Sequence, residues 1–177
     1  MCLVNIVRPT DLRESTAMAA TAAINVLENA GVRHQVHKYD TRSDGDWGPE
    51  AVEHLRTSIG AEPEQIFKTL VIDVGGTLAV AVIPVPQRLS PKAAASALGL
   101  SGKATMADRV AVVRVTGYVL GGVSPVGQKK PLPTVIDETV DLWDSVFCSG
   151  GKRGLEIELA PADLISVTGA VVADILS

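Results

Sequence analysis

Two adjacent glycines, Gly75 and Gly76, separate two apolar segments and constrain the fold more than any other feature of the chain. The segments, residues 66–74 and 77–85, have the length and the Val, Ile and Leu content of strands. A Gly-Gly connection between two strands is typical of a β-hairpin, because its turn needs backbone conformations that other residues avoid. The sequence therefore predicts an antiparallel strand pair, which argues against a doubly wound nucleotide-binding fold.

Strand-like and helix-like segments alternate irregularly along the rest of the chain. Further strands are predicted at residues 32–39, 103–106, 133–137, 145–149, 155–159 and 170–176. Helices are predicted at residues 19–29, 49–60, 91–98 and 161–167, with another beginning near Asp108 and a helical turn at 138–143. We therefore expect the α/β (mixed) class, a single domain in which a twisted, partly antiparallel mixed sheet is flanked by short helices.

The first residues differ from the rest of the chain. Residues 1–17 have no clear periodicity and are interpreted as an N-terminal extension that could be disordered. Met18 opens the first regular segment and is a candidate start of translation. The domain is therefore predicted to span residues 18–177.

Composition narrows the class of protein further. A chain of 177 residues with 46% hydrophobic content can bury one core, and no apolar run approaches the ~20 residues of a membrane helix. No secretory signal is recognisable, so we expect a cytoplasmic protein in which Cys2 and Cys148 are reduced. His34, His37 and His54 do not form a metal-binding spacing with these cysteines. We expect neither a metal nor a cofactor.

Charge is distributed unevenly along the chain. The net charge is −4, yet residues 88–130 contain seven basic side chains and one acidic one. Such a block could bind an anionic partner such as RNA without the whole protein being basic. The alternative is that these charges point to different faces of the molecule, since clustering in sequence does not guarantee a patch in space.

Two glycine-rich stretches are candidates for binding a ligand close to the backbone. Residues 149–154 read S-G-G-K-R-G, and residues 116–127 read T-G-Y-V-L-G-G-V-S-P-V-G. Glycines allow amide N–H groups to approach an anion or a developing oxyanion. The first stretch lies between two predicted strands and is expected to form a tight connection. It could equally be a glycine turn with two solvated cations.

Four strings in order carry a family resemblance: F-K-T-L at 67–70, M-A-D at 106–108, the stretch from Thr116 to Lys130, and S-G-G-K-R-G-L at 149–155. Together they resemble the YbaK family of aminoacyl-tRNA deacylases, which is related to the editing domain of bacterial prolyl-tRNA synthetase. The resemblance runs from about residue 22 to residue 175. It implies the same mixed α/β fold and hydrolysis of the ester that joins a wrong amino acid to tRNA.

The resemblance also implies roles for individual residues. The residues expected to be catalytic are Lys68, Gly121, Gly122, Ser149, Gly150 and Gly151. The residues expected to bind the aminoacyl group are Tyr39, Trp47, Thr69, Ser124 and Glu156. From their charge, and not from the resemblance, Lys129, Lys130, Lys152 and Arg153 are expected to contact tRNA, with bracing of the loop as the alternative for Lys152 and Arg153. Glu156 stands where several relatives have Asp, and Trp47 where many have Phe, so the amino-acid preference is left open.

Ester hydrolysis places negative charge on the carbonyl oxygen, and preorganised N–H donors lower that barrier. The two glycine loops could supply such donors, and Lys68 could bind a phosphate, steady the developing charge or act as a base. No Ser/His/Asp context is present, so Ser149 is expected to orient substrate or water. For a cysteinyl substrate, the family also suggests attack by the substrate's own thiol.

The expected function is therefore a hydrolase that edits mischarged tRNA in trans, with Cys-tRNA(Pro) as the first expected substrate and Ala-tRNA(Pro) as the second. The expected partners are the acceptor end of a mischarged tRNA and, as a further candidate, prolyl-tRNA synthetase. No membrane partner is expected, and the sequence does not indicate an oligomeric state. The alternative is a non-catalytic module that binds tRNA or a synthetase.

Overall fold

The computed structural model describes residues 20–42, 45 and 47–177. Met18, Cys2 and the N-terminal extension lie outside these residues, and so do the predictions made for them. None of the described helices is long and apolar enough to cross a membrane.

The described residues form five helices, two short 3-10 helices and eight strands. The helices are α1 (Ala22–Asn29), α2 (Trp47–Ile59), α3 (Pro91–Ala97), α4 (Arg109–Thr116) and α5 (Pro161–Thr168), with the 3-10 helices at Pro63–Gln65 and Glu138–Leu142. The strands are β1 (His34–Lys38), β2 (Phe67–Val74), β3 (Thr77–Pro84), β4 (Ala104–Met106), β5 (Thr134–Asp137), β6 (Val146–Lys152), β7 (Leu155–Leu159) and β8 (Val171–Ala173). Every predicted helix and strand has a counterpart within a few residues.

The helix ends follow from local sequence. Ser90 caps α3 by accepting from the amide of Ala93, and Pro91 occupies its first turn, where no N–H is needed. Asp108 caps α4 by accepting from two backbone amides of its first turn. Gly117 ends α4 in the left-handed conformation, with φ of 76°, which glycine adopts without a steric penalty.

The larger sheet has five strands in the order β4-β2-β3-β5-β8. The β2–β3 hairpin closes at the pair Val74 and Thr77, and Gly75 and Gly76 both adopt positive φ, at 59° and 93°. Strand β4 pairs antiparallel with β2, whereas β5 and β8 continue the sheet in parallel. The predicted hairpin and the partly antiparallel, mixed character of the sheet are confirmed.

A second sheet of three strands, in the antiparallel order β1-β7-β6, was not predicted as a separate unit. The sequence pattern identifies strands but not their distant partners. The prediction for residues 149–154 was also wrong in part. Residues Ser149 to Lys152 continue β6 through a bulge, and only Arg153 and Gly154 form the turn into β7.

Three clusters of buried side chains hold the layers together. The largest lies between the two sheets and includes Phe67, Val80 and Ile157. A second packs α3 against the other face of the larger sheet. The third packs α2 through Leu55 onto Ile66 and Phe147 at the starts of β2 and β6. This third contact holds the first turn of α2 beside both sheets, where the candidate site lies.

Candidate functional site

A cavity of about 610 Å³ opens where α2, β2, the 116–127 loop and the β6–β7 pair meet. This volume is in the usual range for a small-molecule site. The lining is mainly apolar, with a few polar groups supplied by different elements. Among the predicted site residues, the lining includes Trp47, Lys68, Thr69, Gly121, Ser149 and Glu156. Three binding candidates and three catalytic candidates are therefore brought together in one cavity.

Lys68 lies at the beginning of β2 and is half-buried. Its Nζ donates to the carbonyl oxygens of Val85, at 2.9 Å, and Gln87, at 2.8 Å. An ammonium group has three N–H donors, so one remains available to a molecule in the cavity. Burial lowers the pKa of Lys68, because the charged form loses hydration. The two carbonyl oxygens oppose this effect, because the hydrogen bonds that they accept from the ammonium favour the charged form.

Glu156 is almost completely buried, with 8% of its surface exposed. It pairs across β6–β7 with Ser149, and its Oε1 lies 3.4 Å from the hydroxyl of Tyr39. Desolvation raises the pKa of Glu156 to about 8, and the Tyr39 hydroxyl opposes this rise only partly. The carboxyl group is therefore mainly protonated at neutral pH and can donate a hydrogen bond into the cavity.

Tyr39 itself lies behind Glu156 and not among the cavity-lining residues. Its ring stacks on His54 of α2, with centroids 4.9 Å apart. Burial, followed by the nearby Glu156 carboxyl, raises the pKa of the phenol, so the hydroxyl stays protonated. The structure places Tyr39 where it can orient Glu156, whereas the sequence prediction had it contact substrate.

Two hydroxyl groups line the cavity. The Oγ1 of Thr69 is buried and has no hydrogen-bond partner among the described residues. Buried hydroxyl groups usually have a hydrogen-bond partner, and a ligand bound in the cavity could supply the partner that Thr69 lacks. Ser149 is half-buried, and its Oγ accepts from the amide of Gly151 at 3.3 Å. This leaves the Ser149 hydroxyl proton available for a further acceptor.

The four glycines that were predicted to be catalytic differ in their packing and in their hydrogen bonds. Gly121 lines the cavity with φ of 81°, and its Cα packs against the Trp47 ring. The amide of Gly122 donates to the carbonyl of Val119 at 3.0 Å, and the amide of Gly151 is held by Ser149. Gly150 accepts from the Thr21 hydroxyl through its carbonyl oxygen. The amides of Gly122 and Gly151 are therefore engaged within the protein, contrary to the expectation that they are free donors.

The remaining predicted residues lie outside the cavity lining. Ser124 is fully buried, and its Oγ accepts from the amide of Val126, so it shapes the loop. Lys129 and Lys130 are exposed and follow α4, where their amides donate to the carbonyls of Thr116 and Val115. Lys152 is exposed at the end of β6. Arg153 is exposed but lies against the ring of Trp47.

The cavity also contains residues that sequence reasoning missed. Met106 and Arg109 line it from the β4–α4 connection, and Leu120 and Val123 line it from the glycine-rich loop. The M-A-D string ends immediately before Arg109, which is the one signal that could have drawn attention to it. Among the residues that the structure describes, no three His, Cys, Asp or Glu side chains could together hold a metal ion.

This chain belongs to the family described as the aminoacyl-tRNA editing domain, whose model matches residues 49–167. The family resemblance inferred from sequence and the predicted hydrolase class, aminoacyl-tRNA deacylase, are thus confirmed at the level of the family. One relative, from Enterococcus faecalis (strain ATCC 700802 / V583), is named "Putative Cys-tRNA(Pro)/Cys-tRNA(Cys) deacylase EbsC". The two sequences are 36% identical over 157 residues, covering 88% of this chain and 92% of the relative.

Solved structures confirm the fold. A structure described as "a putative trans-editing enzyme for prolyl tRNA synthetase" superposes with a TM-score of 0.74 at 29% identity. The match covers 88% of this chain and 95% of that one. A second structure, of the hypothetical protein APE2540, gives a TM-score of 0.76 at 26% identity, covering 89% of this chain and 100% of that one.

Proposed function

We propose that this protein hydrolyses the ester of mischarged tRNA in trans, with cysteine on proline tRNA as its preferred substrate. The observation that carries the proposal is the cavity itself, in which a lysine, a buried glutamate and a serine from three separate strands converge. The names of the relatives support the same reaction class. Clearance of alanine from the same tRNA is the second candidate activity, and a cytoplasmic location stays a prediction.

Lys68 is proposed to stabilise the negative charge that develops on the ester. Its two bonds to carbonyl oxygens fix the ammonium group while one N–H remains for substrate. In a mainly apolar cavity, such a cation interacts more strongly with an oxyanion than it would in water. The same two bonds favour the charged form, so we assign Lys68 the role of an electrostatic donor and not of a general base.

Glu156, Thr69 and Ser149 are proposed to orient the aminoacyl group. A protonated Glu156 can donate to a carbonyl or side-chain heteroatom, and Thr69 offers the hydroxyl that lacks a protein partner. Trp47 and Gly121 close the cavity on the side of α2. The position of the indole is proposed to limit the aminoacyl side chain to about the size of cysteine or alanine.

A nucleophile from the protein is not part of the proposal. The Cys148 thiol is completely buried, and desolvation raises its pKa, so the reactive thiolate is suppressed. With a cysteinyl ester, the substrate's sulfur can instead bond to the carbonyl carbon while the bond to the ribose oxygen breaks. The ribose oxygen takes up a proton, and water then hydrolyses the resulting thiolactone.

The bound tRNA is proposed to extend from the cavity along α4. Arg109 lines the cavity and is exposed at the first turn of that helix, and Lys129 and Lys130 are hydrogen-bonded through their backbones to its last turn. Cations along one path from a cavity suit a phosphate backbone. Lys152 is a further candidate for binding phosphate, and prolyl-tRNA synthetase stays a candidate partner.

A deacylation panel tests the function. Purified protein is incubated with cysteinyl, alanyl, seryl and threonyl esters of one proline tRNA, and we expect the cysteinyl ester to be cleared fastest. Replacing Lys68 with alanine should lower kcat by about 100-fold or more, the usual effect of losing one oxyanion donor. The proposal fails if no ester is cleared faster than in buffer. Binding of tRNA without turnover, weakened by Lys68→Ala, would instead support the non-catalytic alternative.

A further inference from the structure

Trp47, the first residue of α2, is held by two contacts from other parts of the chain. Its ring packs directly on Gly121, where an added Cβ would lie 2.7 Å from Cε2 and closer still to neighbouring ring atoms. The guanidinium carbon of Arg153 lies 4.4 Å from the ring centroid. A cation at this distance over an indole is attracted by the negative face of the ring.

Arg153 is itself fixed in place. Its Nε donates to the carbonyl oxygen of Leu120 at 2.9 Å. The neighbouring Gly122 packs against the backbone of Lys152 and Arg153, because a Cβ there would lie 3.0 Å from both residues. The loop at Leu120–Gly122, the β6–β7 turn and the start of α2 therefore form one closed unit. We call Trp47, Gly121 and Arg153, together with the Leu120 carbonyl, the Trp47 bracket.

The bracket bears directly on the cavity, because Trp47, Leu120 and Gly121 all belong to its lining. Arg153 does not line the cavity and instead holds residues that do. Movement of the indole would change the width available to the aminoacyl side chain. Whatever orients the indole therefore also controls which side chains fit.

We propose that Arg153 is a positioning residue that acts through Trp47 to set the amino-acid specificity of the cavity. This inference rests on the proposed function and departs from the first of the two roles expected for Arg153, contact with tRNA. The guanidinium suits this role because it can stack on the ring with its plane while Nε donates in that plane. A lysine would keep the positive charge but would offer neither the planar stacking nor the Nε–H bond to Leu120.

The first test is the charge-conserving variant Arg153→Lys, with cysteinyl and alanyl esters of adenosine alone as substrates. Because these esters contain no tRNA body, a missing phosphate interaction cannot affect them. We expect the ratio of kcat/KM for the two esters to change by about fivefold, which corresponds to the ~1 kcal/mol of one hydrogen bond, here the bond from Nε to Leu120 that lysine does not reproduce. The matched control is Arg56→Lys, the same change at an exposed position in the last turn of α2.

The second test is spectroscopic and does not depend on turnover. The chain has two tryptophans, so Trp143→Phe leaves Trp47 as the only indole fluorophore. In that background, Arg153→Lys should shift the emission of Trp47 to longer wavelength, and Arg56→Lys should leave it in place. An unchanged emission together with an unchanged ester ratio overturns the proposal.

The remaining outcomes also separate the alternatives. If Arg153→Lys behaves as wild type while Arg153→Gln loses affinity for full-length tRNA alone, Arg153 contacts phosphate and the positioning role is wrong. If the wild-type protein cleaves no ester at all, the proposed function fails. The emission test then still decides whether Arg153 holds Trp47.

Discussion

Replacing Glu156 with glutamine should remove a component of the pH dependence of stability. Glu156 is buried on β7, and its Oε1 accepts from the Tyr39 hydroxyl at 3.4 Å, which is a long hydrogen bond. Desolvation raises its pKa from the ordinary value of 4.5 to about 8. Glutamine has nearly the same shape and cannot ionise, so the comparison isolates the charge.

The direction of this pH dependence follows from the number of protons bound by the folded and the unfolded protein. Between the two pKa values, the folded protein binds one more proton at this site than the unfolded chain does. The contribution of Glu156 is therefore fully present below about pH 4.5 and is lost as the pH rises toward 8, at about 1.4 kcal/mol per pH unit. Between about pH 5 and pH 7.5, the wild-type protein should lose about 3 kcal/mol relative to Glu156→Gln.

Urea denaturation of both proteins across this pH range measures the difference, and every other titrating group that behaves alike in the two proteins cancels. As the pH rises, the free energy of unfolding of Glu156→Gln should increase steadily relative to that of the wild type, and the difference should level off above about pH 8. Tyr39→Phe offers a second check, because the Tyr39 hydroxyl lowers the pKa of Glu156 and its loss should move the plateau to higher pH. A difference between wild type and Glu156→Gln that does not vary with pH would refute the reasoning.

Two further predictions address the fold and the tRNA path. Asp137→Ala should destabilise the protein by about 2–4 kcal/mol in urea denaturation, because the buried carboxylate accepts from Thr139 at the start of a 3-10 helix and from the amide of Ile175. The control is Glu138→Ala at the neighbouring exposed position, which should change the free energy of unfolding by less than about 0.5 kcal/mol. Equal effects of the two substitutions would contradict this account. Replacing both Lys129 and Lys130 with glutamine should reduce the slope of log K against log salt concentration for tRNA binding by about one unit for each phosphate that is no longer neutralised. The control is Lys92→Gln, at an exposed position on α3, which packs against the far face of the larger sheet; this substitution should leave the slope unchanged.

The sequence predicted the elements well because their signals are local. The Gly75-Gly76 turn depends on residues within a few positions and occurs where expected, and the Ser90 cap and the Gly117 stop are local signals of the same kind. The division into two sheets was missed because it depends on distant pairing. Strand β1 joins β7 across more than a hundred residues, with His34 opposite Leu159, and no local pattern encodes that choice.

The candidate site was predicted in part, and mostly through the family resemblance. Lys68 and Glu156 lie in one cavity as expected, although no spacing in the sequence relates them. For Arg153, the sequence left two roles open, contact with tRNA and bracing of the loop. Its contact with Trp47 joins two residues that are more than a hundred positions apart and became visible only in three dimensions.

The glycines that first suggested an oxyanion site mainly allow close packing of the protein against itself. Gly121 makes room for Trp47 and Gly151 makes room for the ring of Tyr118, while the amides of Gly122 and Gly151 already have acceptors. These two amides are not free to bind an oxyanion, and we assign charge stabilisation in the proposed reaction chiefly to side chains. Lys68 supplies a fixed cation and protonated Glu156 a neutral donor, both in a cavity where water competes weakly. Deacylation should accordingly weaken as the pH rises past about 8, because ionised Glu156 would no longer donate and would repel the developing oxyanion.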